Sequence, residues 1–158
     1  MSGSEAGPGG SDESYLRLAL ELGARAGEAG EVPVGAVVVR RGEVIGRGAN
    51  AREATGDPTA HAEVLAIREA ARATGSWRLV DSTLYVTLEP CPMCAGALVA
   101  ARLGRLVFGA ADPKAGACGS LYNLCADPRL NHELPVVRGV LAQEAALLLS
   151  GWFAARRV

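Results

Sequence analysis

The sequence predicts a three-layer α/β/α sandwich around a mixed central sheet of about five strands. Two observations carry this. Two β-branched runs, residues 34–40 and 43–49, meet at the tight pair Arg41 and Gly42 and read as a β-hairpin, and downstream of them short apolar strands alternate with helical segments. Buried strands lying between helical layers satisfy both patterns.

The elements follow in order. Ser11 is placed to cap a helix over 12–28, whose first turn holds Asp12 and Glu13 and whose Leu16, Leu20, Gly23 and Ala24 recur at helical spacing until Gly27 and Gly30. After the hairpin, AEVLAIREAARAT continues a second helix from His61 to about Thr74. It puts Val64, Ile67 and Ala71 on one face, with the Thr59 hydroxyl available as a cap. Residues 83–88 alternate as a strand, Pro90 and Pro92 punctuate, and MCAGALVAARL runs on as an apolar helix to about Arg102, so that Cys91 and Cys94 stand at a helix start. Residues 105–109 and 135–141 read as further strands, 110–134 as loop, and 143–157 as an amphipathic closing helix.

Composition narrows the function. The 158 residues, 49% of them apolar, suit one domain with its own core, expected over 12–158 behind a disordered tail at 1–11. That tail has no basic and no apolar stretch, so it does not read as a secretory signal. Apolar runs fall far short of the roughly 20 residues of a membrane helix, which predicts a soluble, cytoplasmic protein with no membrane partner. Four cysteines in such a chain are expected to be free for metal or catalysis, not paired in a disulfide framework. The net charge of −1 hides an asymmetry: residues 1–63 carry six Arg against ten acids, whereas residues 64–158 carry nine Arg and one Lys against seven acids. A basic surface in the second half is compatible with phosphate contacts, although an Ala-, Gly- and Arg-rich composition equally accounts for the arginine excess.

The chemistry concentrates at two helix starts. His61-Ala62-Glu63 opens one, and Pro90-Cys91-Pro92-Met93-Cys94 opens the other. Together they offer one imidazole and two thiolates, a ligand set that matches tetrahedral zinc with the fourth position left to water, one ion per subunit. A helix N-terminus favours the thiolate form, and Pro92 in the first turn costs no hydrogen bond. Such a metal brings the pKa of its water near neutrality. A carboxylate at Glu63 can then take the proton, hand it to a ring nitrogen and finally to departing ammonia, the double transfer that hydrolytic deamination needs. A closed four-cysteine cage completed by Cys118 and Cys125 is the competing arrangement. Their six-residue separation is unusual for one, and it would leave His61 and Glu63 without a role, so inert buried thiols are expected at 118 and 125.

His-x-Glu followed by Pro-Cys-x-x-Cys is the established signature of zinc-dependent base deaminases. Beyond it, VPVGAVVV, GDPTAHAE, LEPCPMCAGAL, VFGAADPKAGACGSLYNL and LNHELPV resemble the bacterial tRNA-specific adenosine deaminases of the cytidine deaminase-like superfamily, over about residues 12–158. The resemblance implies conversion of adenosine to inosine at the wobble position of a tRNA anticodon, tRNA-Arg above all, by a homodimer. It also implies that His61, Cys91 and Cys94 bind zinc, that Glu63 is the general acid and base, and that Asn50 hydrogen-bonds the purine with Val34 packed near it. Backbone N–H groups near Ala62 or Cys91 would hold reacting oxygens, and Asp112 and Lys114 would stand beside the nucleotide. For Asn50, and for the Asp112-Pro113-Lys114 segment, an ordinary turn is the alternative. Arg156 and Arg157 are candidates for the tRNA backbone, and Ala111 stands where relatives sometimes carry a basic residue. Two other functions remain open: a free-base or nucleoside deaminase for guanine or cytosine, and a non-catalytic zinc-stabilised binding module.

Overall fold

The computed structural model describes residues 11–156; of the tail expected over residues 1–11 all but Ser11, which caps the first helix, lie outside them, as do Arg157 and Val158. Helix α1 (Asp12–Glu28) begins at Ser11, whose side chain accepts from the Ser14 amide while the Ser14 hydroxyl accepts from the Ser11 amide, a closed capping box. Strands β1 (Gly35–Arg40) and β2 (Glu43–Ala49) pair antiparallel, with a bulge between Val38 and Val39. Arg41 and Gly42 both have positive φ, 52° and 77°, as a two-residue primed turn requires. The chain continues through α2 (Arg52–Thr55), α3 (Ala62–Thr74), β3 (Ser82–Leu88), α4 (Pro92–Ala100), β4 (Arg105–Ala110), β5 (Val136–Arg138) and α5 (Ala142–Arg156).

The sheet order is β2-β1-β3-β4-β5; β1 is antiparallel to β3, while β3, β4 and β5 run parallel. Successive residues of β1 face opposite layers. Ala36 and Val38 enter the core under α3 and α4 together with Leu84, Val86, Leu106 and Phe108. Val37 and Val39 join Tyr15, Leu16, Tyr85 and Val107 under α1. Helix α5 lies beside α1, where the Trp152 indole donates to Gly27 O, completing the expected three layers.

Several boundaries and faces differ from expectation. The face of α3 on the sheet is Ala62, Ala66 and Ala70, because Gly46 and Gly48 of β2 let its backbone approach so closely that a Cβ at Gly48 would lie 2.1 Å from Ala62 O. Val64, Ile67 and Ala71 do share one face, as expected, and it lines a shallow apolar hollow with Trp77, Ala97 and Ala100. His61, not Thr59, is the N-cap of α3; the Thr59 hydroxyl is turned to Asp57 Oδ1, 2.7 Å away. The last strand stops at Arg138, since Gly139 and Leu141 both take positive φ and turn the chain. Helix α5 is not cleanly amphipathic: Ala145 is buried, but Leu147 and Phe153 are 62% and 46% exposed. The short α2 and a single 3-10 turn at Leu124–Ala126 were not expected. Among the described residues no helix is long and apolar enough to cross a membrane.

Candidate active site

His61 and Cys91 are the N-cap residues of α3 and α4, and both take extended backbone conformations before the helix begins. Two helix N-termini, with their free N–H groups and positive dipole ends, therefore converge on one point. His61 Nδ1 lies 3.7 Å from Cys91 Sγ and 3.4 Å from Cys94 Sγ. At ordinary Zn–N and Zn–S lengths, tetrahedral geometry separates nitrogen from sulfur by about 3.5 Å, so these two distances bracket the separation that a shared zinc imposes. The donor atoms of the three residues lie within 4.8 Å of one another. The donor set and its spacing fit zinc. Cys91 is held down to about 5, chiefly by the hydrogen bond from the Cys94 thiol and further by the amides of Cys94 and Met93, against the opposing effect of burial. Cys94 is pushed up by the same thiol pairing and by burial. One of the two sulfurs is thus anionic before any further charge is supplied.

A cavity of about 200 Å³ opens over the cluster, and His61, Ala62, Glu63 and Cys91 are in its lining. Cys94 lies behind it, fully buried. Glu63, in the first turn of α3, is 4% exposed, and burial, with a smaller contribution from the Cys91 thiolate, pushes its carboxyl up to about 7. It is a buried acid beside the cluster of potential metal ligands, with a pKa near neutrality.

Val34, Asn50 and Asp112 line the same cavity. Asn50 is held at both ends: Oδ1 accepts the Arg52 amide at 3.2 Å, the turn geometry anticipated as the alternative, and Nδ2 donates to Val32 O at 3.2 Å. One amide hydrogen and one lone pair remain for a ligand, so the turn orients the side chain without exhausting it. Asp112 Oδ1 likewise accepts the Lys114 and Ala115 amides, each at 3.1 Å, while the residue borders the cavity. Lys114 is exposed and is not part of the lining. Arg156 lies over the Trp152 ring at 3.8 Å and donates to Gly27 O, so it ties α5 to α1. Cys118 and Cys125 are buried, with their sulfurs 3.7 Å apart, and stand outside the metal-binding group.

Among the polar residues that sequence reasoning missed, two border the cavity and a third supports one of them. Arg52 borders the cavity from the unexpected α2. Buried Glu31 accepts the Glu53 and Ala54 amides at 3.0 and 2.7 Å and so caps that helix. Buried Glu89 also borders the cavity. Burial would push its carboxyl up, but hydrogen bonds from Ser120, Asp112 and Cys118 outweigh this and hold it below its ordinary value. The signal in sequence was slight: an acid between two apolar segments, with partners far along the chain.

Residues 10–110 match the family model of the cytidine and deoxycytidylate deaminase zinc-binding region. The tRNA-specific adenosine deaminase of Bacillus subtilis (strain 168) is 53% identical over 142 residues, which span 90% of this chain and 88% of that protein. The chain belongs to the tRNA-specific adenosine deaminase family. A solved structure from a study of A-to-I editing by tRNA:A34 deaminases at the wobble position of transfer RNA superposes with a TM-score of 0.83 at 46% identity, covering 86% of this chain and 99% of that one. The guanine deaminase of Bacillus subtilis shares the fold less closely, with a TM-score of 0.63 at 34% identity over 92% of this chain and 94% of that one. Membership in this family makes the chain a zinc-dependent deaminase, with His61, Cys91 and Cys94 forming the cluster that fits the metal.

Proposed function

We propose that the chain hydrolyses the wobble adenosine of a tRNA anticodon to inosine, with tRNA-Arg the expected substrate. The observation that carries this reading is Glu63, buried beside the His61, Cys91 and Cys94 cluster in the lining of a cavity that suits one flipped base. His61 Nδ1, Cys91 Sγ and Cys94 Sγ hold one zinc per subunit. When bound, zinc supplies Lewis acidity that brings a water's pKa near neutrality. Glu63 takes the proton as water adds to C6 of the purine and places it on the ring nitrogen; it then takes the proton of the new C6 hydroxyl and carries it to the exocyclic amine, so that the C6–N bond breaks, the carbonyl forms and ammonia leaves. Asn50 meets the base with its free amide capacity, Val34 packs against it, and the amides at Ala62 and Cys91 face the reacting oxygen. Asp112 is set for a ribose hydroxyl and Lys114 for a phosphate at the rim. A tRNA substrate places the reaction in the cytoplasm.

The chain works as a homodimer in this reading. The hollow along Val64, Ile67, Ala71 and Ala97 is apolar, and the Trp77 beside it is 59% exposed, the kind of surface a second copy covers. The second reading, a free-base deaminase, is favoured by the net charge of −1 and by the shared fold of the guanine deaminase. Zinc-loaded protein is therefore given, in separate reactions, an arginine tRNA anticodon stem-loop with wobble adenosine, free adenosine, guanine and cytosine, and ammonia and inosine are measured. Inosine from the stem-loop is expected. Turnover of guanine or cytosine without the stem-loop would overturn the substrate, and no turnover at full zinc occupancy would leave a zinc-stabilised binding module.

A further inference from the structure

Glu89 has no part in the proton transfers, yet it is 2% exposed and borders the cavity. All its partners come from one segment. Oε1 accepts the Asp112 amide at 3.0 Å and the Ser120 hydroxyl; Oε2 accepts the Cys118 and Ser120 amides at 3.0 and 2.9 Å. Residues 111–120 belong to no helix and, apart from a single bridge between Cys118 and Asn123, to no strand; the amides of Gly116, Ala117 and Gly119 find backbone carbonyls, and the carboxylate serves those of Asp112, Cys118 and Ser120. Gly116 completes the fit, since a Cβ there would lie 2.3–2.5 Å from the atoms of the Glu89 carboxyl group. That segment carries Asp112 and Ala115 into the cavity lining. We propose that Glu89 is a positioning residue for substrate recognition, anchoring residues 111–120 so that Asp112 stands at a fixed place against the bound nucleotide.

The inference rests on the reading that the cavity receives the target base, and its chemistry separates it from generic stability. A glutamine at 89 keeps the shape but replaces one acceptor oxygen by a donor. Turned toward Cys118 and Ser120 it would oppose two amides that cannot reverse. Turned the other way it opposes the Asp112 amide and the Ser120 hydroxyl, and the hydroxyl can rotate to accept. The substitution therefore releases Asp112 selectively.

The test compares zinc-loaded wild type, Glu89→Gln, Ser120→Ala, Asp112→Asn and the Glu89→Gln/Asp112→Asn double variant. For each, zinc content, kcat and KM on the stem-loop, and backbone amide exchange are measured. For Glu89→Gln the expectation is unchanged zinc, KM raised about tenfold with kcat altered less than about threefold, and faster exchange at Asp112. The double variant should be no worse than the poorer single one. Additive losses, a fall in kcat at constant KM, or unchanged exchange at Asp112 would overturn the proposal. Should Glu89→Gln not fold, Ser120→Ala, which deletes one hydroxyl on an exposed residue, should raise KM about threefold, and an unchanged KM would overturn it equally. If wild type turns over a free base but not the stem-loop, the substrate reading falls, while amide exchange and KM for that base still decide the role of Glu89.

Discussion

Glu63 occupies an environment that would be costly for an idle carboxylate. Burying a charge without a partner is expensive, and the proposed role accounts for it: a group that exchanges a proton need not hold a fixed charge. Glu63→Gln keeps the volume and removes the exchange. The deamination rate should fall by at least about 10²- to 10⁴-fold, the usual contribution of a positioned acid or base, with zinc content and stem-loop affinity close to wild type. Joint loss of zinc or melting temperature would make Glu63 a structural residue. In the proposed reading Asn50 has two duties, and Asn50→Ala should register both. We expect kcat/KM to drop by the equivalent of about 1.5–3 kcal/mol if a base atom is left buried and unpaired, together with a lower melting temperature as the Arg52 amide and Val32 carbonyl lose their partner. A change in melting temperature alone would reduce Asn50 to its turn. His61, Glu63, Cys91 and Cys94 were legible in the sequence because each pair sits within one helical turn, where spacing fixes direction. Glu31 and Glu89 were not, because their partners lie 22 to 31 residues away and only the folded chain brings them together.

Helix α3 shows how an element sets the site. Its N-terminus delivers His61 and Glu63, and its height above the sheet is fixed by Gly46 and Gly48, which meet Ala66 O and Ala62 O where any Cβ would collide with backbone. Gly48→Ala should therefore push the start of α3 outward and cost about 1–3 kcal/mol or more in unfolding free energy. Zinc affinity should weaken with it, read by chelator competition; normal affinity in a folded variant would show that the helix start adapts. The same contact explains why periodicity alone did not single out the sheet-facing residues of α3. The larger Val64 and Ile67 suggest the core, but so close a helix admits only alanine. Helix α1 is fastened differently, by Asp12 to Arg105 of β4 and to the Tyr85 hydroxyl at 2.7 Å. The Arg105 hydrogen bond, opposed by burial, holds Asp12 below its ordinary value. A lowered carboxyl pKa contributes stability that is present above the ordinary carboxylate range and is lost as pH falls through the folded value. The pair is about one-third exposed, so its contribution should be about 0.5–1 kcal/mol. Melting temperatures of wild type and Asp12→Asn should differ at pH 7 and converge toward pH 3; a difference that persists in acid would assign the effect to packing.

At the scale of the molecule, a slightly acidic chain must hold a polyanion. The layer order was legible because a hairpin followed by alternating helices and strands leaves few arrangements, whereas charge totals cannot say which cations are already engaged. In the fold Arg105 is taken by Asp12, Arg129 by Asp127, and Arg156 by Trp152 and Gly27. Of these only the Arg105 pair, whose acid lies in the first half, lowers the second-half excess; Arg129 and Asp127 cancel within it, and Arg68, Arg72, Arg78, Arg102, Lys114 and Arg138 have no acid partner among the ion pairs of the described residues. Each phosphate neutralised on a single strand releases counterions and contributes about −0.7 to the slope of log K against log salt, so three to six contacts give a slope of about −2 to −4. Stem-loop binding by the Glu63→Gln protein, titrated between low and physiological salt, should fall within that range. Guanine binding measured in parallel should be flat, because a neutral base releases no ions. A flat response for the stem-loop as well would mean that the anticodon backbone is not held, and the cavity would then serve a free base. A slope much steeper than −4 would require more than about six phosphate contacts, as when the phosphates run across two subunits of the proposed homodimer.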